Sequence, residues 1–392
     1  MTIGGSTIAA ELAALGQWRL PVAPIGRDER NSRLDRARER LAAIGADALL
    51  VNAGPSLRYF TGISWSPTER LVAMLLPANG TPRIVCPAFE RGSLEAELAI
   101  DADLLLWEED KSPVALIADS LAPGAALAID PLLPFYWSEP LRASFRPVSA
   151  APVIDGLRMV KSAAELALMQ QAKAMTLEVH RRAARILEPG IRASTVKRFI
   201  DDAHRALGAA GSTFCAVQFG TATAYPHGLP GDQALEEGQL VLIDTGCTID
   251  GYHSDITRTY AFGQVDGEIR TLWGLEKEAQ AAAFDAVTPG VPCESVDAAA
   301  RRVLERAGLG PDYRLPGLPH RTGHGIGLAI HEPAYLVRGD RTPLAPGMCF
   351  SNEPMIVVPE RFGIRLEDHM YVTETGAAWF TEPQHSIDRP FA

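Results

Sequence analysis

Histidine is missing from the first 179 residues of this 392-residue chain; all nine histidines lie from His180 onward. Metal and acid–base chemistry is therefore expected in the C-terminal part, where imidazole is available. Cysteine is sparse, with five (86, 215, 247, 293 and 349), widely spaced, odd in number and without a CxxC. That pattern argues against a disulfide framework and reads as reduced thiols in a cytoplasmic protein. Basic residues are in deficit, 37 Lys and Arg against 48 Asp and Glu for a net charge of −11, and no Lys/Arg-rich run occurs. Nucleic acid and anionic membrane are accordingly poor partners. No stretch approaches the ~20 continuous apolar residues of a membrane helix. The N-terminus, MTIGGSTIAAELAALGQW, has no basic leader and places Glu11 inside its apolar part, so a signal peptide is not expected.

What is present is ordinary globular material: 47% hydrophobic and 22% charged residues, enough for a real core. At ~150 residues per domain the length suggests two or three domains. The first part reads as a small α/β domain. Leu34, Ala37, Leu41 and Ile44 have helical spacing over 28–44 with Gly45 as a stop signal, and ADALLV at 47–52 reads as a buried strand. A hairpin fits LVAMLL, Pro77-Ala78-Asn79-Gly80 and RIVCPA, because Asn-Gly supplies the positive φ such turns require. A boundary falls near 155–161, after which Ser162 and Glu165 form a capping box at the start of a helix reaching about Leu187.

The C-terminal part contains a faint repeat at an offset of 100 residues. Leu187-Glu-Pro-Gly190 echoes Val287-Thr-Pro-Gly290, each between a long helical pattern (162–187; 267–286) and a shorter one (194–207; 294–307). Each is followed by a Gly-led strand with an acid six residues on, Gly238 to Asp244 and Gly347 to Glu353. Two related α+β halves would bring one acid from each toward a shared axis.

Four segments carry chemistry. An apolar run ends in Asp244, placing a carboxylate at the end of a buried strand, which is costly unless paired or metal-bound. Asp250-Gly251 makes a tight turn, so the return strand can bring Asp255 alongside Asp244, with Thr257 on the face of Asp255. His320, His324 and His331 fall within twelve residues among Gly323, Gly325 and Gly327. The glycines argue against a metal-binding helix and for a strand or loop that lets backbone approach a ligand closely. Glu353 sits in an Asn-Glu-Pro segment, and Arg365 can support Glu367 two residues on; alone, that pair also reads as a surface ion pair. Four carboxylates and one imidazole suit Mn²⁺, Co²⁺ or Zn²⁺. With two of the carboxylates bridging, five side chains suffice for two ions about 3.5–4 Å apart, which would supply hydroxide at neutral pH.

The order Asp244, Asp255, His324, Glu353, Glu367, with GHGIGLAIHE, NEP and IRLED, resembles the "pita-bread" metallopeptidases, the family of methionine aminopeptidase, aminopeptidase P and prolidase. The likeness covers 158–392. LRYFTGI at 57–63 resembles the N-terminal domain of the prolidase, aminopeptidase P and creatinase branch, which short methionine aminopeptidases lack. The resemblance implies an α+β protein: an N-terminal creatinase-like α/β domain, 1–157, and a C-terminal pita-bread domain, 158–392, with pseudo-twofold duplicated halves. It implies that Asp244 chelates one ion, His324 and Glu353 the other, and that Asp255 and Glu367 bridge two divalent ions, Mn²⁺ first. Glu353 would also shuttle the proton from water to the leaving nitrogen. His227 and His331 match histidines that line the substrate site, His320 and Arg365 match supporting positions, and Arg338 and Arg341 lie where prolidases hold the substrate's C-terminal carboxylate. One departure stands out: the family usually has a tyrosine four residues after the Glu-Pro glutamate, and here Val357 follows.

The function implied is a dinuclear-metal Xaa-Pro dipeptidase, with aminopeptidase P as the alternative and a metal-dependent lyase on the same scaffold behind it. Retention of all five ligands argues against metal-free creatinase and against non-catalytic relatives. A homodimer is expected by resemblance, and the partner is a peptide with proline after the scissile bond. Cys247 and Cys349 read as small buried hydrophobes.

Overall fold

Thr7 Oγ1 accepts the N–H of Ala10 and opens a short first helix, α1 (Ile8–Ala13). The protein is described here by a computed structural model covering residues 3–16, 18 and 22–391. It forms two compact units: Pro24–Arg158, and Met159–Ala392 together with the segment ahead of Pro24.

In the unit Pro24–Arg158, helix α2 (Arg27–Ala43) buries Leu34, Ala37 and Leu41 on one face, and Gly45 follows it at φ 64°. Six strands, β1 (Ala48–Asn52), β2 (Ala73–Pro77), β3 (Arg83–Pro87), β4 (Asp103–Trp107), β5 (Ala126–Ile129) and β6 (Arg146–Ser149), make one mixed sheet in the order β4-β3-β2-β1-β5-β6. Strands β2 and β3 are the expected antiparallel hairpin, with Gly80 at φ 99° in its turn. Helices α3 (Pro55–Thr61), α4 (Arg91–Glu97), α5 (Pro113–Ala118) and α6 (Phe135–Leu141) connect the strands, and α7 (Ala151–Arg158) follows the last of them. Every residue of β1 and β2 is buried, as unbroken apolar runs require of central strands covered on both faces.

The second unit begins on the Ser162–Glu165 capping box, both of whose hydrogen bonds form. Helices α8 (Ala163–Arg185) and α9 (Ala193–Leu207) precede β7 (Phe214–Phe219), β8 (Gln239–Gly246), the short pair β9 (Thr248–Ile249) and β10 (Tyr252–His253), and β11 (Ile256–Phe262). Helices α10 (Gly267–Asp285) and α11 (Cys293–Arg306) then precede β12 (Gly323–Gly325), β13 (Glu332–Leu336), β14 (Cys349–Asn352), β15 (Met355–Val358), β16 (Phe362–Arg365), β17 (Asp368–Val372) and β18 (Ala377–Trp379). The duplication takes physical form in two sheets, β11-β8-β7 and β13-β12-β14-β17-β18. Each half packs its own core: Val179, Phe199, Ile200, Val241 and Ile243 in the first, Ala283, Val296, Ala300, Leu336 and Phe350 in the second. The halves are joined where β11 meets the segment of β16 and β17. Thr259 Oγ1 donates to Arg365 O at 2.7 Å, and buried Arg258 reaches Asp368 at 2.7 Å and Glu367 O at 2.8 Å.

The start of the chain departs from the expected domain of 1–157. Ile3, Leu12, Leu15 and Trp18 pack against the core under α8 and α9. Gly4 N donates to Ala184 O, and Glu11 accepts from Arg182 Nη1 at 3.1 Å and Arg185 Nε at 2.7 Å. A single six-residue helix is too short to persist alone, and the apolar side of α1 finds its cover on the second unit.

Two histidines buried in this unit favour its unfolding in acid. His180 Nε2 donates to Ile256 O at 2.9 Å, and His204 lies between Thr176 Oγ1 at 3.0 Å and Ser212 Oγ at 2.9 Å. Burial pushes them down to about 3 and about 4, so both stay neutral in the fold while the unfolded chain takes up protons near 6.5. At these two sites the unfolded state therefore binds more protons between about pH 4 and 6.5, and each histidine contributes a loss of stability of about 1.4 kcal/mol per pH unit as pH drops through that window. In urea unfolding of chelator-treated protein across pH 4–7, the wild type should lose stability relative to His204→Gln as pH falls through that window.

Candidate metal centre

The site is built where strand ends from both halves meet. Asp244 lies near the end of β8, opposite Thr257 of β11 in the antiparallel ladder. The connection folds back through Asp250 and Gly251, at φ 47° and 80°, directly between β9 and β10. That two-residue turn is the one the sequence signals, and it returns the chain so that Asp255 precedes β11. His324 is central in β12, Glu353 follows β14, and Glu367 stands between β16 and β17. Gly323 and Gly325 flank His324 for a reason different from the one expected. A Cβ at 323 would lie 2.0 Å from Ser351 O, and one at 325 would lie 2.4 Å from Glu332 O. The glycines let β12 press between β13 and β14; it is neighbouring backbone, not ligand, that comes close.

Asp255, His324 and Glu367 each present a ligand atom within 4.8 Å of the others, all three side chains being buried. His324 Nδ1 donates to Gly325 O at 3.0 Å, which fixes the tautomer. The other ring nitrogen, Nε2, points toward Glu353 Oε1 at 3.2 Å and Asp255 Oδ2 at 3.7 Å and is the atom that would ligate a cation. Ser351 Oγ donates to Glu353 Oε1 at 3.0 Å while accepting from His324 N at 2.9 Å. Thr257 Oγ1 donates to Glu367 Oε2 at 2.6 Å and accepts from Arg365 Nε at 3.0 Å, and Arg365 Nη2 reaches Asp244 Oδ2 at 2.5 Å.

Negative charge outweighs positive in this cluster, where four carboxylates meet Arg365. Burial, then the charges of Glu367, Asp244 and Glu353, raise Asp255 well above the carboxylate range. Burial, then Glu353 and Asp244, do the same to Glu367. Asp244 is also raised by burial, with Arg365 opposing. Glu353 goes the other way: burial works against its charge, but His324, His320 and Arg365 together hold it below the usual range. Asp244 Oδ1, Asp255 Oδ1 and Glu367 Oε1 are buried without a hydrogen-bond partner among the described residues. Orphaned carboxylate oxygens converging with an imidazole lone pair fit a divalent cation, which would satisfy acceptors that no protein donor reaches.

The remaining expected residues divide. His331 is in ring contact with His324, centroids 4.1 Å apart. Desolvation, with His324, Arg321 and His227 pressing on it, pushes His331 down to about 4, so its imidazole is neutral near pH 7. His227 is exposed and lines a pocket with Lys197 and Gln218. His320 bonds Arg321 O through Nδ1 at 2.6 Å and leaves Nε2 buried without a partner. Arg338 and Arg341 are otherwise engaged, Arg338 with Asp312 at 2.5 Å and Arg341 near Glu294 at 3.9 Å; neither bonds to the carboxylate cluster. Val357 is buried, paired with Gly363 and bridged to Gly317 in the second core, so no phenol enters there. Sequence reading missed two side chains. Ser351 ties His324 to Glu353, and buried His369, both ring nitrogens unpartnered, lies 3.8 Å from Glu367 Oε1. Alternation along Arg365, Glu367 and His369 was the available signal for the latter.

Comparison with known proteins agrees with this geometry. The profile of metallopeptidase family M24 matches residues 167–374, and that of the creatinase/prolidase N-terminal domain matches 33–160. The chain belongs to metallopeptidase family M24, and the protein is a metallopeptidase. It is 39% identical over 362 residues to the probable dipeptidase PepE of Mycobacterium tuberculosis, covering 91% of this chain and 95% of that protein. It is 32% identical to an Xaa-Pro dipeptidase of Lactobacillus helveticus, covering 90% and 98%. The crystal structure of dipeptidase PepE from Mycobacterium ulcerans superposes with a TM-score of 0.86 at 37% identity, covering 93% of this chain and 99% of that one. No helix among the described residues is long and apolar enough to cross a membrane.

The charge imbalance predicts effects of opposite sign from one substitution. Asp255→Asn removes a buried negative charge, so it should raise the melting temperature of chelator-treated protein. The same change should abolish the stabilisation that added Mn²⁺ gives the wild type and lower bound metal measured by elemental analysis.

Proposed function

We propose that the protein hydrolyses Xaa-Pro dipeptides at two divalent ions, Mn²⁺ first, held by Asp244, Asp255, His324, Glu353 and Glu367. The observation that carries this reading is the convergence of ligand atoms of Asp255, His324 and Glu367, with carboxylate oxygens of Asp244, Asp255 and Glu367 buried without a hydrogen-bond partner among the described residues. The names of the Lactobacillus and mycobacterial relatives support the dipeptidase assignment. When bound, the ions supply a water of lowered pKa and polarise the scissile carbonyl.

Every other role falls to the chain's own groups. Glu353, kept ionised by His324, His320 and Arg365, takes the proton released by water and delivers it to the leaving nitrogen of proline. His331 is neutral and carries an N–H suited to the oxygen that becomes negative as the carbonyl is attacked, and His227 is near enough to act on it electrostatically. Arg365 and Thr257 orient Asp244 and Glu367 and touch no substrate atom in this scheme. His320 lies behind Glu353 and supports its charge. Resemblance further supports a homodimer, and the reduced, largely buried cysteines support a cytoplasmic location.

Mn²⁺-loaded protein incubated with Ala-Pro and Ala-Pro-Ala, followed by mass, should cleave Ala-Pro. Release of Ala from the tripeptide would make the protein an aminopeptidase instead, and survival of both peptides would overturn the proposal. Glu353→Gln should lower kcat on Ala-Pro by about 10²- to 10⁴-fold, with His331→Ala a smaller loss that leaves metal content unchanged.

A further inference from the structure

Three carboxylates of the cluster each take a hydrogen bond from a side-chain donor. Thr257 Oγ1 donates to Glu367 Oε2, Ser351 Oγ to Glu353 Oε1 and Arg365 Nη2 to Asp244 Oδ2. The second oxygen of Glu367 has no such donor: Oε1 is buried without a hydrogen-bond partner among the described residues. His369 Nε2 lies 3.8 Å from it, too far for a hydrogen bond. His369 is wholly buried in β17, opposite Ser351 of β14, and both of its ring nitrogens lack partners among the described residues. Its backbone is fixed, since Phe380 N donates to His369 O at 3.0 Å, while its ring is left without a bond. Burial, then the charge of Lys173, holds the imidazole well below its usual value, so the ring is neutral and has one N–H to give. A buried imidazole with neither nitrogen satisfied is costly, and such a group calls for an explanation.

We propose that His369 is a positioning residue of the metal centre, its Nε2–H donating to Glu367 Oε1 when a cation is bound and so orienting that carboxylate for ligation; this rests on the metal-binding part of the reading above and not on the identity of the peptide. A ligating carboxylate oxygen keeps a further lone pair, and a donor aimed at that lone pair fixes the rotation of the group and the direction it offers the cation. Thr257 already orients Oε2; with His369 on Oε1, both oxygens of Glu367 are directed. Bringing the 3.8 Å separation to hydrogen-bond length takes a movement of about 1 Å, which rotation of the imidazole supplies. Direct ligation by His369 fits less well. The ligand atoms that lie within 4.8 Å of one another among the described residues are those of Asp255, His324 and Glu367, and His369 stands outside that set. Its contribution passes through Glu367, as a sixth side chain beside the five expected ligands.

The test takes the full chain, stripped with chelator, and measures Mn²⁺ affinity and stoichiometry by titration calorimetry in wild type, His369→Leu and His369→Gln. Glutamine keeps an N–H close to the position of Nε2, and leucine has none. His369→Leu should weaken Mn²⁺ binding by about 10- to 100-fold with the number of bound ions unchanged, and His369→Gln should stay within about 3-fold of wild type. If the leucine variant does not fold, ring-¹⁵N NMR of the wild type decides. Adding diamagnetic Zn²⁺ should then protect one further histidine Nε2–H from exchange, a signal missing from His369→Gln. Unchanged affinity in His369→Leu, equal losses in both variants, or absence of the protected N–H would each overturn the assignment. Loss of one bound ion in His369→Leu would overturn it too, by making the imidazole a ligand. A wild type that binds Mn²⁺ but leaves Ala-Pro intact overturns the dipeptidase reading alone. A wild type that binds none of Mn²⁺, Co²⁺ and Zn²⁺ overturns both.

Discussion

Repulsion among buried carboxylates is the constraint around which the second unit is arranged. Asp244, Asp255, Glu353 and Glu367 are drawn from four separate stretches of chain, and each raises or answers the charge of the others. Left to themselves, such groups would turn to water or take up protons. They are kept in place by backbone: β8 and β11 are locked by a seven-residue ladder, and His324 is held between β13 and β14 by two glycines. The fold supplies rigidity, and a divalent cation is the natural source of the compensating charge.

Behind the carboxylates sits a layer of arginines and hydroxyls that does the orienting. Arg258 and Asp368, both almost wholly buried, pair at 2.7 Å, while Arg258 also holds the carbonyl of Glu367. Thr257 takes a hydrogen bond from Arg365 and gives one to Glu367. Because alternate residues of an extended segment face opposite sides, one stretch of five residues, 365–369, serves both layers. Arg365, Glu367 and His369 look to the site, and Asp368 looks to Arg258. Replacing one member of such a buried pair leaves the other uncompensated, so this layer bears on stability and on ligand geometry together.

Much of this was legible in the chain because it depends on local chemistry. The Ser162–Glu165 capping box, the Asn79-Gly80 hairpin and the Asp250-Gly251 turn are satisfied by residues within a few positions of one another. The 100-residue echo exposed the two halves, since helix spacing and Gly-led strands repeat whether or not individual residues do. What escaped depends on partners far away in sequence. Nothing in α1 says that Leu12 and Glu11 will meet α9 and Arg185. The glycines around His324 read as room for a ligand when their requirement came from Ser351 and Glu332 backbone. Arg338 looked available until Asp312 was placed beside it.

The docking of the N-terminal segment on the second unit makes residues 24–158 an insertion in its sequence instead of a domain that precedes another. On the ribosome, α1 emerges ~150 residues before α8 is complete enough to receive it, an interval of roughly 10–30 s at ordinary elongation rates. Throughout that time Leu12, Leu15 and Trp18 lack the surface they later cover. The two ends of the second unit's wall are thus made far apart in time, and closing that wall must come late in synthesis. For the nascent chain, residues 24–158 are complete before the second unit can close on its own first helix.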